Sequence, residues 1–302
     1  MHRTRTFRWS LLVLAALALI YAAASIYIAS RSLSAEVTPL AAHPAEQRLI
    51  YEEVEFPPRG WPELRLRGWW LPAAEPRATV IRVHGIDSNR SSMLGLSAVL
   101  VRSGYSVLVF DLRGHGESDA ARMGAGLDER DDVFGAIDFV RRRSDAGGGS
   151  VFLHGSSYGG AIALMAGWRE EVVVGVFADS SFAALRELVT QEVASRTGLP
   201  RWVAVALRPG ITLAGRLLHG VDIGAVNPAA EAAEYAYPLG LAHCRSDERI
   251  PLDHFEQIES SVRLTPSARV FHDCPHADAW DLYPIEYAQL VTEYFSSRLN
   301  AG

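Results

Sequence analysis

The stretch Val151-Phe152-Leu153-His154-Gly155-Ser156-Ser157-Tyr158-Gly159-Gly160 decides the fold of this chain. Apolar residues typical of a buried strand end at a Gly-x-Ser-x-Gly sequence, and a helix-like segment from Ala161 to Trp168 follows directly. The two glycines let the backbone turn where a side chain would collide, and a sharp strand-to-helix turn exposes the serine at its apex. Only Ser157 fits this frame, because Ser156 would need glycine in place of His154 and Tyr158. We therefore predict that Ser157 is a nucleophile.

Two backbone amides are the predicted donors for an oxyanion formed beside that serine. The first donor is the N–H of Tyr158, the residue directly after the nucleophile, at the predicted start of a helix. N–H groups in the first turn of a helix have no hydrogen-bond partner within that helix. The loop His84-Gly85-Ile86-Asp87 follows another strand-like run, and its glycine allows the backbone to approach a substrate closely. We predict that the N–H of Ile86 is the second donor. His84 itself is expected to be structural, with its ring hydrogen-bonded beneath the loop.

A nucleophilic serine also requires a base and a carboxylate that orients the base. His276 follows the last predicted strand and is the predicted base, whereas His272, near the end of that strand, is the alternative. Asp247 directly follows the preceding strand and is the predicted carboxylate, and Asp179, at the end of an earlier strand, is its rival. The chain order is then serine, aspartate, histidine.

The composition of the chain excludes several other chemistries. All 29 basic residues are arginine, so a lysine Schiff base and the lysine of a P-loop are impossible. Two cysteines cannot form a four-thiolate zinc site, and a net charge of −6 gives no indication of a nucleic-acid partner. The sequence implies no cofactor and no metal, and we expect a small-molecule substrate.

The N-terminal segment is predicted to enter a membrane. Residues Trp9 to Ser30 carry no charge and are long enough, as a helix, to cross a bilayer. A cleaved signal peptide is the alternative because Ala22-Ala23-Ala24 offers small residues for cleavage, but the apolar run continues through Ile28 and favours an uncleaved anchor over residues 1–30. Three arginines precede the span, which predicts a cytoplasmic N-terminus and an extracytoplasmic domain, or a secreted domain if the segment is cleaved.

Strand and helix patterns predict one α/β domain over residues 48–302. Two strand-like runs separated by Pro57-Pro58-Arg59-Gly60 predict an antiparallel hairpin at the edge of a sheet. Six further apolar runs alternate with helical segments, which predicts a mostly parallel eight-stranded sheet with helices on both faces. The predicted strands are Arg48–Phe56, Glu63–Leu71, Thr79–Val83, Ser106–Phe110, Ser150–Leu153, Val172–Phe177, Pro238–Ala242 and Ala268–Phe271.

Two segments lie outside this alternation. Residues 31–47 lack periodicity and contain two prolines, so they are predicted to be a tether. Residues 180–236 are helical and apolar in pattern, and they are predicted to form a helical lid over the carboxyl ends of the strands. The run Trp202–Leu218 is expected to shape an acyl pocket in that lid. Two ordinary packing helices are the alternative.

These motifs resemble those of the α/β-hydrolase superfamily from residue 48 to the C-terminus. The chain is most similar to bacterial membrane-anchored or secreted esterase-like proteins related to the serine aminopeptidase and dienelactone hydrolase branches. The motifs that carry the resemblance are His84-Gly85, Asp111-Leu112-Arg113-Gly114-His115-Gly116-Glu117-Ser118, Gly155-Ser156-Ser157-Tyr158-Gly159, the loop from Asp247 to Pro251, and His276.

The resemblance implies an exported serine hydrolase of the carboxylesterase type. It would cleave carboxylic esters, or thioesters or amides, through Ser157, His276 and Asp247. His115, between two glycines, is expected to belong to a tight loop whose charged residues pair with each other. An acyltransferase on the same triad and a catalytically silent binding protein are the alternatives.

Two departures from the family pattern involve the only cysteines of the chain. Cys244 and Cys274 occupy loop positions where these families usually have glycine. In this fold the strands that lead to the acid and to the histidine are parallel neighbours, about 4.7–4.9 Å apart. Because an exported domain enters an oxidising compartment, we predict a Cys244–Cys274 disulfide between the acid loop and the histidine loop. Two buried free thiols are the alternative.

Overall fold

The computed structural model describes residues 2–34, 36–198 and 200–301, and the chain divides into two compact units. The larger unit comprises Ala35–Ala184 and Asn227–Gly302. The smaller unit comprises Met1–Ser34 and Leu185–Val226.

The larger unit is built on one eight-stranded sheet. Its strands are β1 (Glu52–Phe56), β2 (Leu66–Leu71), β3 (Ala78–Val83), β4 (Tyr105–Phe110), β5 (Val151–Ser156), β6 (Val173–Asp179), β7 (Gly240–Cys244) and β8 (Ser267–Phe271). Their order across the sheet is β1-β2-β4-β3-β5-β6-β7-β8. β2 pairs antiparallel with both β1 and β4, and the remaining pairings are parallel. The predicted mostly parallel sheet with an antiparallel edge hairpin is confirmed.

Helices pack on both faces of this sheet. The helices of the chain are α1 (His2–Ser32), α2 (Leu94–Arg102), α3 (Glu129–Arg141), α4 (Tyr158–Gly167), α5 (Leu185–Thr197), α6 (Arg201–Ala214), α7 (Pro228–Ala232), α8 (Leu252–Ser261), α9 (Ala279–Leu282) and α10 (Pro284–Asn300). On one face, α2 and α10 cover a core that includes Phe152 and Phe177. On the other face, α4 packs closely on Leu153 and Val176. Since side chains alternate along a strand, β5 and β6 contribute apolar residues to both faces, as expected for central parallel strands.

The segment between α1 and β1 makes specific hydrogen bonds. The side-chain amide of Asn89 donates to the carbonyls of Thr38 and Pro39. A 3-10 turn over Pro44–Gln47 ends at Arg48, whose backbone is left-handed with a φ of 56°. The predicted strand began at residue 48. Because this turn and its left-handed end occupy residues 44–48, β1 begins later, at Glu52.

The smaller unit consists of α1, α5, α6 and the short turns that follow them. The stretch Phe7–Ser32 of α1 is long and apolar enough to cross a membrane by length and composition. Helix α6 contains Pro209 and continues into a π-helical turn over Gly215–His219. The sequence predicted helices over this region, and the structure has them; the role of α5 and α6 as a lid stays a prediction.

Candidate active site

Ser157 lies at the sharp turn between β5 and α4. Its backbone is strained, with φ of 55° and ψ of −118°, a conformation that a non-glycine residue adopts only when its surroundings enforce it. A Cβ atom at Gly155 would overlap the carbonyl of Gly159, and a Cβ at Gly159 would overlap the carbonyl of Val83. The predicted need for glycine at both positions is confirmed. The N–H of Ser157 donates to the carbonyl of Asp179 at 2.7 Å, which fixes the turn against β6.

Ser157, His276 and Asp247 form one hydrogen-bonded chain. The Nε2 atom of His276 lies 2.8 Å from the Ser157 Oγ, and its Nδ1 atom lies 2.6 Å from an Asp247 carboxylate oxygen. The alternative base, His272, is exposed, and the structure does not bring it into this chain. Such a chain has the geometry in which an imidazole accepts a serine proton while a carboxylate orients its other nitrogen.

The loop after β7 holds the Asp247 carboxylate in place. Its second oxygen accepts hydrogen bonds from the backbone N–H groups of Arg249 and Ile250, at 2.9 and 2.8 Å. The neighbouring His243 donates from Nε2 to the Ile250 carbonyl at 2.9 Å. These contacts orient the carboxylate so that its other oxygen faces the Nδ1 of His276.

Cys244 and Cys274 form a disulfide beside this carboxylate and His276. Their Cα atoms are 5.2 Å apart, and both residues are buried. Cys244 is the last residue of β7 and is paired with Phe271, the last residue of β8; Cys274 follows three residues later, so both cysteines lie at the carboxyl ends of neighbouring strands. The bond connects the loop that carries Asp247 with the loop that carries His276.

The two predicted oxyanion donors lie next to Ser157. Tyr158 begins α4 directly after the nucleophile. Gly85 and Ile86 line the same cavity as Ser157, and a Cβ at Gly85 would be 3.4 Å from the Ser157 Cβ. Ile86 and the start of α4 therefore lie beside Ser157, and the role of the Ile86 and Tyr158 amides as oxyanion donors stays a prediction.

Asp179, the rival acid, is occupied by other partners. Its carboxylate accepts hydrogen bonds from the Tyr287 hydroxyl at 2.9 Å and from the Ser180 hydroxyl at 3.0 Å. Burial raises the pKa of Asp179 to about 6, although both hydroxyl groups act in the opposite direction. No hydrogen bond joins it to His276 in the described part of the chain, so the geometry favours Asp247 as the orienting carboxylate.

Sequence reasoning named Asp179 but missed three polar residues around it, next to the nucleophile. A cavity of about 260 Å³ beside Ser157 is also lined by Arg82, His154, Asp179 and Tyr287. The Nε2 of His154 lies 3.1 Å from the Tyr287 hydroxyl, and burial lowers the pKa of Arg82 to about 10. Arg82 and His154 occupy paired positions of β3 and β5. The available signal was one ionisable side chain within each of two mostly apolar strands.

The histidines of the two neighbouring loops, His84 and His115, have structural contacts. The Nε2 of His84 accepts from the N–H of Leu112 at 3.0 Å, and burial lowers the pKa of His84 to about 3. His115 is buried and its Nδ1 donates to the carbonyl of Arg113 at 2.9 Å. The predicted structural role of His84 is confirmed.

The charges of the loop after β4 are paired, but their partners differ from those predicted. The Asp111 carboxylate pairs with Arg90, which also contacts Glu117. Arg113 pairs with Asp132 of α3 at 2.6 Å. Because Arg90 and Asp132 lie outside the loop, these ion pairs attach the loop to its neighbours as well as stiffening it.

Comparisons with known proteins agree with this fold. The family model described as serine aminopeptidase, S33, matches residues 74–221. The chain is 31% identical over 257 residues to the uncharacterized protein YfhR of Escherichia coli K12, covering 82% of each chain. It is 24% identical over 234 residues to the uncharacterized protein YqkD of Bacillus subtilis, covering 77% of this chain and 75% of YqkD. The chain therefore belongs to the α/β-hydrolase superfamily, and its family places it among the serine hydrolases.

Solved structures show the same fold. A Pyrococcus furiosus esterase superposes with a TM-score of 0.72 at 20% identity, covering 88% of this chain and 97% of the esterase. A bacterial membrane phospholipase A, described as a virulence factor, superposes with a TM-score of 0.61 at 18% identity, covering 99% of this chain and 100% of the phospholipase. At these identities the likeness is one of fold.

Proposed function

We propose that this protein is a serine hydrolase that cleaves carboxylic esters through an acyl-enzyme on Ser157. The observation that carries the proposal is the hydrogen-bonded chain from Ser157 through His276 to Asp247. His276 takes the proton of the serine hydroxyl as its Oγ attacks the acyl carbon, and Asp247 stabilises the imidazolium that forms. The amides of Ile86 and Tyr158 hold the oxyanion.

The remaining steps use the same residues. The bond between the acyl carbon and the alcohol oxygen breaks, and His276 returns its proton to the departing alkoxide. Water then attacks the acyl-enzyme, His276 accepts a proton from it, and the carboxylic acid leaves as the Ser157 hydroxyl is restored. Thioesters and amides require the same steps, and an alcohol in place of water would make the enzyme an acyltransferase.

The proposed location is outside the cytoplasm, with α1 as an uncleaved anchor over residues 1–30. The support is the length and apolarity of Phe7–Ser32 together with the three arginines, Arg3, Arg5 and Arg8, that precede the uncharged run Trp9–Ser30. Residues 31–47 would then connect the anchor to the hydrolase domain of residues 48–302.

A fluorophosphonate probe tests the proposal directly, since it labels only an activated serine. We expect the wild-type protein to be labelled and the Ser157→Ala and His276→Ala variants to remain unlabelled. Both variants should also lose several orders of magnitude in kcat, because the members of one catalytic unit fail together. Ser156→Ala, at the adjacent serine, is the matched control and should be labelled. A silent binding protein would not be labelled at all, and retention of more than about a tenth of turnover in Ser157→Ala would refute the assignment.

A series of p-nitrophenyl esters from acetyl to octanoyl tests the substrate class. Met93, Leu96 and Trp280 give the cavity around Ser157 an apolar part, which supports a medium-length acyl group. We expect hexanoyl esters to be cleaved with a higher kcat/KM than acetyl esters. A strict preference for acetyl esters would contradict this substrate class while leaving the nucleophile assignment intact.

A further inference from the structure

Helix α6 is apolar on two opposite sides. The buried side consists of Ala204, Leu207, Ile211 and Ala214. The side that is exposed consists of Trp202, Val205, Ala206, Pro209 and Leu213. A helix on the surface of a soluble domain normally exposes charged and polar residues, whereas a helix that is apolar all round is buried in protein or in lipid.

The exposed side forms a continuous stripe. Trp202 is 72% exposed and Leu213 is 57% exposed, and the stripe between them is about 16 Å long at 1.5 Å per residue. The exposed charged residues near its ends are Arg201 and Arg216, and Arg216, in the turn after α6, pairs with Asp222. Arg208, in the middle of α6, is half-buried and donates to the Thr190 hydroxyl. Arginine side chains at the ends of the stripe are long enough to reach a polar headgroup while the stripe between them contacts hydrocarbon.

Helix α6 lies against the C-terminal part of α1. Gly210 approaches α1 so closely that a Cβ there would overlap the Oγ of Ser25. Farther along, the Ser30 hydroxyl lies 3.0 Å from the Nε2 of His219. Small residues at the point of closest approach are typical of helices that associate within a membrane.

A hydroxyl group from α1 completes the backbone of α6 next to its proline. The N–H of Gly210 donates to the Tyr21 hydroxyl at 3.0 Å, and this hydroxyl donates to the carbonyl of Ala206 at 3.1 Å. Tyr21 thus bridges the N–H and the carbonyl that pair four positions apart in a regular helix. In lipid, where water cannot satisfy backbone groups, proline in a helix is tolerated when a neighbouring helix supplies such a partner.

We propose that the exposed stripe of α6 inserts into the lipid bilayer beside α1. The inference rests on the proposed membrane anchoring, because the depth of α6 in the bilayer is judged from its position along the membrane-spanning helix α1. The contacts at Tyr21, Ser25 and Ser30 all lie in the part of α1 that is distant from the N-terminal arginines. The stripe therefore contacts acyl chains of the leaflet on the far side from those arginines. The protein then meets the membrane through two helices, one that spans it and one that lies within a single leaflet.

Single-cysteine labelling of the full chain in lipid nanodiscs tests the proposal. The environment-sensitive fluorophore nitrobenzoxadiazole is attached to Leu213→Cys on α6, Leu14→Cys on α1, and Ser260→Cys on α8. The unmodified chain is the labelling blank, since its own cysteines are paired. We expect the probes at 213 and 14 to emit at shorter wavelength than the probe at 260 and to be quenched by brominated phospholipids. Iodide in the water should quench the probe at 260.

The outcomes distinguish this inference from the anchoring on which it rests. If the probe at 213 is quenched by iodide while the probe at 14 is quenched by brominated lipid, α1 is anchored and the inference about α6 is wrong. If the probe at 14 is also quenched by iodide, the anchoring fails and the inference falls with it. If the probe at 213 is shielded from both quenchers and becomes exposed on dilution, a second copy of the chain covers the stripe, which also overturns the lipid assignment.

Discussion

Two buried carboxylates lie at the site, Asp247 and Asp179, and they differ in their hydrogen-bond partners. Asp247 accepts a bond from His276 at 2.6 Å, whereas Asp179 accepts bonds from Tyr287 and Ser180. Removing the charge of the orienting carboxylate costs an enzyme of this type up to roughly 10⁴-fold in rate, because the imidazole loses its orientation and its counter-charge. The residue that contacts the histidine should therefore dominate the rate.

We expect Asp247→Asn to lower kcat far more than Asp179→Asn, with the fold of both variants preserved. Turnover of p-nitrophenyl hexanoate, with circular dichroism as the check on folding, measures both effects. The reverse ranking would move the acid to the end of β6.

The raised pKa of Asp179 leads us to expect that the stability of the protein depends on pH. Its pKa is about 6 in the folded protein, above the value of about 3.9 expected in the unfolded chain. Between these values the folded state binds more protons than the unfolded state, so the contribution of Asp179 to the free energy of unfolding is present below about pH 4 and is lost as the pH rises through 6. The loss is on the order of 2–3 kcal/mol.

Urea unfolding at several pH values between 4 and 7 measures this contribution. The stability of Asp179→Asn relative to wild type should rise across this interval, because the amide has no proton to lose. Other carboxylates titrate in both proteins and cancel in the difference. A difference that is constant with pH would mean that Asp179 keeps an ordinary pKa.

Sequence reasoning found the residues that lie at the ends of strands and missed those within them. Ser157, Asp247 and His276 each follow a strand, and parallel strands place their carboxyl ends at one edge, so the three positions were predictable together. Arg82 and His154 lie inside apolar strands, and Tyr287 lies on α10. Their proximity depends on how α10 packs on the sheet, which no local pattern specifies.

At the scale of elements, the hairpin, the parallel strands and the helices between them were predictable from periodicity and turn residues. The errors are at the boundaries. The turn at Arg48 shortens β1, and β6 continues to Asp179, two residues beyond the predicted end. The start of β1 depends on the local turn at Pro44–Gln47, whereas the end of β6 depends on a bond to a residue distant in sequence, from the Ser157 N–H to the Asp179 carbonyl.

The Cys244–Cys274 disulfide connects the end of β7 with the loop after β8, and it leads to a prediction about stability at this same scale. It closes a loop with a sequence separation of 30, and the chain-entropy account gives roughly 3–4 kcal/mol of stabilisation for a loop of that length. We expect a reducing agent to lower the free energy of unfolding of the wild-type protein by about that amount. The Cys244→Ala/Cys274→Ala double variant should be less stable from the start and insensitive to the reducing agent.

Non-reducing mass spectrometry of the exported protein is the independent check on the disulfide. Two alkylatable thiols in natively folded material would contradict the bond. In that case the two cysteines would act as small apolar residues and the reducing agent would have no effect.

At the scale of the whole molecule, the division into two units was not predictable from the sequence. The smaller unit joins the N-terminal helix to helices that follow β6, and the contact of Tyr21 with Gly210 bridges 189 positions. The apolar pattern of α6 was visible, but its partner was not. Periodicity identifies an apolar face and gives no information on which distant element or solvent covers it.

The orientation of the whole chain in a membrane is the last prediction. Three arginines precede the apolar span, and positively charged residues are retained on the cytoplasmic side. We expect a membrane-impermeant maleimide to label Ser260→Cys in intact cells whose outer barrier has been permeabilised, and to label Thr4→Cys only after the inner membrane is broken. Changing Arg3, Arg5 and Arg8 together to glutamate should reduce or reverse this asymmetry. The mass of the exported protein distinguishes an uncleaved anchor from a removed signal peptide, since only the anchored form retains residues 1–30. Labelling of Thr4→Cys before that of Ser260→Cys would place the domain in the cytoplasm, where the Cys244–Cys274 bond would no longer be expected.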